Sequence, residues 1–306
     1  MAEIVLTVGY SHTPYLFAEP SLWPRVREQI RKGRAVRDDL PRENDEELRS
    51  KHQRARSAFD QLRKSIERSR AEVIILLGDD QKEIFSSMVA PFTIFSGQRM
   101  EGKKLPGRVR EVTGDEAWLG AASHQTLARE ILQGLHERHF DVAFFDEPEN
   151  REDGFGHAFA PPLAYLTPVF DRPVIPILIN CYYPPQPTAR RCYEFGQLLA
   201  RVIEGVSSVR RVAFAASGGL WHTPGQQDAT IDEGFDRNFL SLLAEGKPDE
   251  VAYLPETALV SGTGEIRNWI VAAGVTGARR WDVVDYIPLY YSPIGLGFAR
   301  CCMTEI

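Results

Sequence analysis

The stretch of sequence that decides the fold is Ala71-Glu72-Val73-Ile74-Ile75-Leu76-Leu77, which continues directly into Gly78-Asp79-Asp80-Gln81. Its apolar part is short, rich in β-branched residues and free of polar alternation, which predicts a strand that is buried on both faces. Such a strand belongs to a sheet that helices cover on both sides. The polar residues after it are expected at the carboxyl edge of the sheet, where open α/β folds bind their ligands.

The same kind of apolar run recurs along the chain. Further strands are predicted at Ile4–Val8, Val142–Phe145, Val174–Ile179, Val212–Ala216 and Val283–Ile287. Longer amphipathic stretches predict helices at Asp45–Ser69, Asp115–Glu137, Thr188–Ile203, Thr230–Leu243 and Glu265–Ala273. The alternation predicts an α/β fold with a mostly parallel or mixed central sheet and helices on both faces. No repeat or linker divides the sequence, so we expect one domain over residues 1–306. The region Ser86–Glu111 fits neither pattern and is interpreted as an excursion over the active site.

The composition excludes several classes of protein. The chain has 306 residues, of which 43% are hydrophobic, enough for a sizeable core. Its net charge of -6 argues against binding to nucleic acid or to an anionic membrane surface. No run of about 18 apolar residues predicts a membrane span, and the acidic N-terminus does not resemble a signal peptide. None of the four cysteines forms a C-x-x-C pair, which indicates a reduced, soluble, cytoplasmic protein.

Three of the seven histidines follow predicted strands, and this convergence of polar groups on one edge indicates a site. Each one also has an ordinary structural interpretation. His12 could cap the turn before Pro14, His157 could begin a helix, and His222 could belong to a glycine-rich turn. The three together favour a site more than any one of them does.

His52 and Glu265 are two further candidates. His52 lies on the apolar stripe of the predicted helix 45–69 and could be a core histidine. From His52 to Ser69 the helix rises roughly 26 Å at about 1.5 Å per residue. The following strand returns roughly 23 Å at about 3.3 Å per residue, which predicts His52 near the edge that carries Asp79. Glu265 enters the first turn of a helix, where the helix dipole alone favours a carboxylate. Two imidazoles and one carboxylate with open positions also form the triad typical of Fe(II) oxygen chemistry.

Six motifs occur in order along nearly the whole chain. They are Gly9-Tyr10-Ser11-His12-Thr13-Pro14, Gly78-Asp79-Asp80-Gln81, Gly156-His157-Ala158-Phe159-Ala160-Pro161-Pro162-Leu163, Pro187-Thr188-Ala189-Arg190-Arg191-Cys192-Tyr193, Ser217-Gly218-Gly219-Leu220-Trp221-His222 and Gly264-Glu265-Ile266-Arg267-Asn268-Trp269. In this order they resemble the class III extradiol dioxygenases, the superfamily of the protocatechuate 4,5-dioxygenase β subunit. The ordered set is specific, whereas each motif alone is weak.

The resemblance implies that His12 and Glu265 bind Fe(II). It further implies that His222 is the acid/base histidine and that His157 lines the substrate pocket. The expected reaction opens a catechol-type, gallate-type or dihydroxypyridine-type ring with O2, and a homodimer is the expected assembly.

One departure from the family concerns the third metal ligand. The family's second metal histidine usually follows an Asp just after the second strand, but here Gln81 follows Asp80. Either Gln81 is a weak oxygen ligand or His52 completes the site, and the helix geometry favours His52. Asp80, Gln81 and Arg191 are then expected to contact the substrate.

Two alternatives remain open from the sequence. A serine hydrolase could use Ser217 with His222, although Ala-Ala-Ser-Gly-Gly matches the Gly-x-Ser-x-Gly elbow poorly. A metal-binding paralogue without oxygenase activity, structural or hydrolytic, is permitted by Gln81.

Overall fold

The computed structural model of the chain describes residues 1–32, 39–87, 90–223 and 229–303. Its strands are β1 (Glu3–Tyr10), β2 (Val73–Gly78), β3 (Phe92–Phe95), β4 (Arg99–Lys103), β5 (Trp118–Ala122), β6 (Ala143–Phe145), β7 (Val174–Ile179), β8 (Arg211–Ser217), β9 (Asp282–Leu289) and β10 (Ile294–Cys302). Its helices are α1 (Trp23–Arg31), α2 (Asp45–Ser69), α3 (Gly107–Thr113), α4 (Gln125–His136), α5 (Ala160–Leu166), α6 (Ala189–Gly205), α7 (Glu233–Glu245), α8 (Pro248–Val251) and α9 (Ile266–Thr276).

Eight strands form one mixed sheet in the order β6-β3-β7-β2-β8-β1-β10-β9. The four central strands β7, β2, β8 and β1 run parallel to one another. β3 and β10 flank them and run antiparallel to their central neighbours. β4 and β5 pair separately as a two-stranded antiparallel sheet. The α/β fold with a mixed central sheet is therefore confirmed.

The two faces of the sheet carry separate apolar cores. Alternate residues of β2 point to opposite faces, because side chains alternate along a strand. Val73, Ile75 and Leu77 join the core that contains residues of α4, α6, α7 and α9. Ile74 and Leu76 join the core that contains residues of α1, α2 and α5. Helices thus cover both faces, which explains why β2 is apolar throughout.

Helix α2 has the bounds that the sequence predicts, because local signals fix both ends. The Asn44 side chain accepts hydrogen bonds from the backbone N–H groups of Glu46 and Glu47, at 2.9 and 3.0 Å. The Glu47 carboxylate accepts in return from the Asn44 N–H at 2.7 Å, which completes a capping box. At the other end Arg70 adopts a left-handed conformation, with φ of 51°, and stops the helix.

The predicted helix Asp115–Glu137 is wrong over its first part. Residues Trp118–Ala122 form β5, which pairs with β4, and the helix begins only at Gln125. The His124 ring caps it by accepting the Leu127 N–H at 3.2 Å. Tertiary pairing with β4 decides this segment, and that partner is not visible in the local pattern.

The region Ser86–Glu111 contains β3, β4 and the start of α3, apart from residues 88 and 89, which lie outside the described residues. Sequence patterning also missed β10, whose glycines Gly295 and Gly297 interrupt the apolar run. A Cβ on Gly297 would lie 2.7 Å from Leu220 Cδ1, so glycine is needed there for close packing. Among the helices described, none has the length and apolarity needed to cross a bilayer.

Candidate active site and metal centre

The candidate site lies at the carboxyl edge of the central parallel strands. His12 follows β1, Asp79 follows β2, Tyr182 follows β7 and His222 follows β8. Glu265 reaches the same place from a 3-10 turn that leads into α9. Because parallel strands end at one edge, residues far apart in sequence converge there.

Three buried side chains form a group that can hold a metal ion. The ligand atoms of His12, Asp79 and Glu265 all lie within 4.8 Å of one another. We call these three side chains the metal-type group. His12 Nδ1 is hydrogen-bonded to Ser217 Oγ at 2.7 Å, which fixes the ring. Its Nε2 is buried and has no hydrogen-bond partner, although Glu265 Oε2 lies 3.2 Å away. Burial lowers the pKa of His12, which favours the neutral imidazole that a metal requires.

Glu265 is held by three donors. Its Oε2 accepts the Gly219 N–H at 2.7 Å. Its Oε1 accepts hydrogen bonds from the Tyr182 hydroxyl and from Gln81 Nε2, the latter at 3.2 Å. In this structure Gln81 holds the Glu265 carboxylate through its amide nitrogen. The alternative that Gln81 serves as a weak oxygen ligand stays a prediction from the sequence.

The two carboxylates of the group have opposite pKa shifts. Burial opposes ionisation of Glu265, but His12 and His222 outweigh it and hold its pKa well below the usual range. Burial raises the pKa of Asp79 well above its usual range, and the neighbouring Glu265 charge adds to this effect. Two buried acids this close repel when both are ionised, and a cation between them would relieve that repulsion. One imidazole nitrogen and two carboxylate oxygens form a donor set that suits a divalent first-row metal.

His222 stands beside this group with a defined orientation. Its Nδ1–H donates to the Leu220 carbonyl at 2.9 Å, and its backbone N–H donates to Thr263 Oγ1 at 3.0 Å. Its Nε2 lies 3.5 Å from Glu265 Oε1. Burial opposes protonation, but the Glu265 charge outweighs it and raises the pKa of His222. A Cβ on Gly262 would lie 2.2 Å from Nε2, so a glycine is required against this ring.

His157 forms the opposite wall of the site. Its ring is edge-on to His12, with 4.7 Å between the ring centroids. Its Nδ1 lies 2.6 Å from Glu83 Oε2. Burial opposes protonation, but Glu83 outweighs it and raises the pKa of His157 to about 10.

A pocket of about 720 Å³ opens above the metal-type group, a size that accommodates a substituted aromatic ring. Its lining includes the predicted residues His12, Gln81, His157, His222 and Glu265. The excursion predicted over the active site contributes Pro106, Gly107, Arg108 and Glu111.

The structure does not bring His52 to the metal-type group. Its ring packs edge-on against Trp23, with 5.9 Å between centroids, and burial lowers the pKa of His52. The rise along α2 predicted how far along the strand direction His52 lies, but not which strand of the sheet it lies over. Arg54 of the same helix pairs with Asp285 on β9, at the sheet edge, and β9 lies four strands from β2. At about 4.8 Å per strand that is roughly 19 Å. Asp79 stands where His52 was expected, and this placement corrects the sequence-based assignment.

Asp80 and Arg191 also lie away from the pocket lining. The Asp80 carboxylate accepts the backbone N–H groups of Glu83, Ile84 and Phe85, at 2.8 to 3.0 Å. It therefore shapes the loop after β2. The exposed Arg191 guanidinium stacks on a phenylalanine ring outside the site, at 3.8 Å from its centroid. Neither side chain is placed to contact a substrate in the pocket.

Four residues of the site were not assigned a role from the sequence: Asp79, Glu83, Tyr182 and, as a partner of His12, Ser217. Asp79 had a signal, since it is the first polar residue after a buried strand. Tyr182 had the same kind of signal, since it lies just after the buried strand β7. Glu83 had none, because it lies further along the loop after β2 and in no recognisable spacing.

Comparison with known proteins places these residues in a family. The model of the family described as "Catalytic LigB subunit of aromatic ring-opening dioxygenase" matches residues 38–295 of the chain. The chain is 32% identical to gallate dioxygenase of Pseudomonas putida over 190 residues, which are 60% of this chain and 53% of that enzyme. It thus spans about half the length of that relative.

Two other proteins extend the comparison. A 2,3-dihydroxyphenylpropionate/2,3-dihydroxicinnamic acid 1,2-dioxygenase of Cupriavidus necator is 25% identical over 256 residues, 67% of this chain and 76% of that enzyme. The crystal structure of an uncharacterized protein from Escherichia coli K12 shares the fold, with a TM-score of 0.57 at 13% identity, over 97% of this chain and 99% of that one. Because the family match covers most of its length, the chain belongs to the family of catalytic LigB subunits of aromatic ring-opening dioxygenases.

Proposed function

We propose that the protein is a non-haem Fe(II)-dependent extradiol dioxygenase that opens a catechol-type, gallate-type or dihydroxypyridine-type ring with O2. The observation that carries this proposal is the buried, unpartnered Nε2 of His12, which faces two carboxylates at the base of an aromatic-sized pocket. Family membership supports the same reaction class.

His12, Asp79 and Glu265 would hold the metal through one nitrogen and two carboxylate oxygens. Fe(II), when bound, would supply the electron-transfer chemistry that allows O2 to react with an aromatic diol. The remaining work belongs to the protein, which must bind the ring, exclude water and move protons. Gln81 and Tyr182 support this arrangement by fixing the Glu265 carboxylate from the pocket side.

His222 would move the proton of the substrate. Since its Nδ1–H is committed to the Leu220 carbonyl, Nε2 carries the lone pair in the neutral ring. This nitrogen faces the pocket beside Glu265, where a substrate hydroxyl would be deprotonated. The same nitrogen would return the proton later in the reaction, a double role that suits histidine.

The geometry does not favour a serine hydrolase. The Ser217 hydroxyl is fully buried and bonded to His12, and Ser217 is absent from the pocket lining. A nucleophile would need access to the substrate. The non-oxygenase metal paralogue keeps one supporting observation, which is that the metal-type group contains one imidazole and not two.

Anaerobic loading with Fe(II), followed by oxygen-electrode traces against a panel of catechols, gallates and dihydroxypyridines, tests the proposal. Iron-dependent oxygen uptake with a new ring-opened chromophore is the expected result. Arg191→Ala is the matched control, because this exposed side chain lies outside the pocket and its loss should leave uptake unchanged. A protein that holds about one metal per chain and consumes no oxygen with any compound would favour the non-oxygenase paralogue.

Some finer assignments stay predictions from the sequence. These are the cytoplasmic location, the homodimer and the extent of one catalytic domain over residues 1–306. Size-exclusion chromatography with light scattering would test the dimer directly.

A further inference from the structure

Glu83 is a pocket-lining carboxylate that the proposed reaction leaves without a role. It lies in the loop after β2, and 30% of its side-chain surface is exposed. Its Oε2 accepts two hydrogen bonds from one residue, the His157 backbone N–H at 3.2 Å and the ring Nδ1–H at 2.6 Å. A single oxygen therefore ties the main chain and the imidazole of His157 together, so the ring cannot rotate without losing its bond.

The loops on both sides are shaped to bring this carboxylate in. Asp80 accepts three backbone N–H groups in the 83–85 turn and so fixes the position from which Glu83 extends. On the other side, a Cβ on Gly156 would lie 2.1 Å from Glu83 Oε2. Any side chain at position 156 would displace the carboxylate, so the glycine provides the space that Glu83 fills.

The bond to Glu83 determines which ring nitrogen His157 presents to the site. With Nδ1–H directed at Glu83, Nε2 faces the pocket and lies 3.5 Å from Gln81 Nε2. The ring also stands edge-on to His12, whose Nε2 faces the metal-type group. His157 Nε2 is thus presented to the space next to the proposed metal, where an oxygen of the substrate would bind.

We infer that Glu83 is a positioning residue, which orients His157 so that its Nε2 meets a substrate oxygen beside the metal centre. The identity of the substrate in this inference rests on the proposed function. The orientation of the His157 ring does not, because it follows from the contact with Glu83 alone. Glu83 acts only through His157, and outer partners of this kind typically change activity by roughly 10- to 100-fold when removed.

The test compares three variants that disturb the contact in different ways. Glu83→Ala removes the carboxylate, Glu83→Gln keeps one acceptor oxygen, and Gly156→Ala keeps the charge but pushes it away. Glu130→Gln is the matched control, because the Glu130 carboxylate is likewise half-buried and accepts hydrogen bonds, in its case from two serine hydroxyls, but lies on α4 outside the pocket. Thermal unfolding confirms that each variant is folded before it is compared.

Two readouts follow the ring and the reaction separately. Nitrogen-15 NMR of the histidine rings in the metal-free protein, with His157→Gln for assignment, reports the protons on Nδ1 and Nε2 of His157 separately. We expect a hydrogen-bonded proton on Nδ1 in the wild type, also when Nε2 is protonated, and the loss of this hydrogen-bonded Nδ1–H signal in Glu83→Ala and Gly156→Ala. In the Fe(II)-loaded protein we expect kcat/KM to fall roughly 10- to 100-fold in both, with Glu83→Gln in between and Glu130→Gln unchanged.

The outcomes separate this inference from the proposed function. An active wild type whose His157 signals and kcat/KM are unchanged in Glu83→Ala overturns the positioning role and leaves the dioxygenase intact. A wild type that consumes no oxygen, but whose hydrogen-bonded His157 Nδ1–H depends on Glu83, supports the positioning role and rejects the dioxygenase. A loss of kcat/KM in Glu83→Ala without any change in the ring signals also overturns the inference, since Glu83 would then act without His157.

Discussion

Replacing Asp236 by asparagine should remove a pH-dependent loss of stability from this protein. Asp236 lies in α7 and is fully buried. Its Oδ1 accepts the Trp221 N–H at 2.8 Å, and its Oδ2 accepts the Tyr286 hydroxyl at 2.8 Å. Burial outweighs these bonds and raises the pKa of Asp236 from 3.8 to about 7. The residue next to Trp221 is His222, so this carboxylate supports the loop that carries the proposed acid/base group.

The direction of the effect follows from proton binding. Between pH 4 and 7 the folded protein keeps a proton on Asp236 that the unfolded chain has lost. Stability therefore falls as pH rises, by about 1.4 kcal/mol for each pH unit in that window. Over roughly three units the loss is about 4 kcal/mol, and it is complete above the folded pKa. An asparagine side chain does not titrate, so Asp236→Asn lacks this component.

Urea unfolding at pH 5, 6, 7 and 8 measures the effect through the free energy of unfolding. The difference between wild type and Asp236→Asn should change by about 1.4 kcal/mol from pH 5 to 6, and should level off above pH 8. Asp232→Asn is the matched control, since Asp232 is the exposed N-cap of the same helix and asparagine caps equally well. Equal pH slopes for wild type and Asp236→Asn would refute the assignment of a raised pKa.

The remaining predictions concern the metal, the acid/base histidine and a helix cap. His52→Ala should retain bound Fe(II) or Co(II), whereas Asp79→Asn should weaken metal affinity by roughly 10-fold or more, as titration calorimetry would measure; the reverse ranking would restore His52 as the ligand. His222→Ala should keep metal and substrate binding but lose about 10²- to 10⁴-fold in kcat, and Gly262→Ala should lower kcat in the same direction by displacing the His222 ring; full turnover in either variant would contradict the proton-transfer role. Asn44→Ala should lower the free energy of unfolding by about 1 kcal/mol, because it removes the capping box of α2, and an unchanged urea midpoint would contradict this.

The sequence predicted those parts of the fold that local chemistry decides. The strand Val73–Gly78 is apolar because both of its faces are covered, and α2 ends where a capping box and a left-handed residue stop it. Strand β5 was missed because its pairing with β4 decides its conformation. Its own residues, Trp-Leu-Gly-Ala-Ala, do not alternate in polarity.

The sequence predicts those site residues that lie directly after a buried parallel strand. His12 and His222 follow buried parallel strands, and the convergence of such ends is a rule of the fold. The choice between Asp79 and Asp80 was not accessible, because it depends on which backbone N–H groups the next turn presents. The prediction of His52 as a metal ligand was wrong for another reason. The rise of a helix gives the position of a residue along the strand direction, but it does not say over which strand the helix lies.

The position of β1 in the sheet has a consequence for biosynthesis. β1 lies between β8 and β10, so both of its neighbours are translated about 200 residues or more after it. At about 5 to 20 residues per second, the apolar segment Ile4–Val8 would wait roughly 10 to 40 s on the ribosome before its first partner strand emerges. During that interval Ile4–Val8 is an apolar segment with unpaired backbone groups and is prone to aggregate. We expect a ribosome-bound chaperone to shield it. The proposed metal site also cannot form before Glu265 has left the exit tunnel, because that residue joins His12 only when the sheet closes.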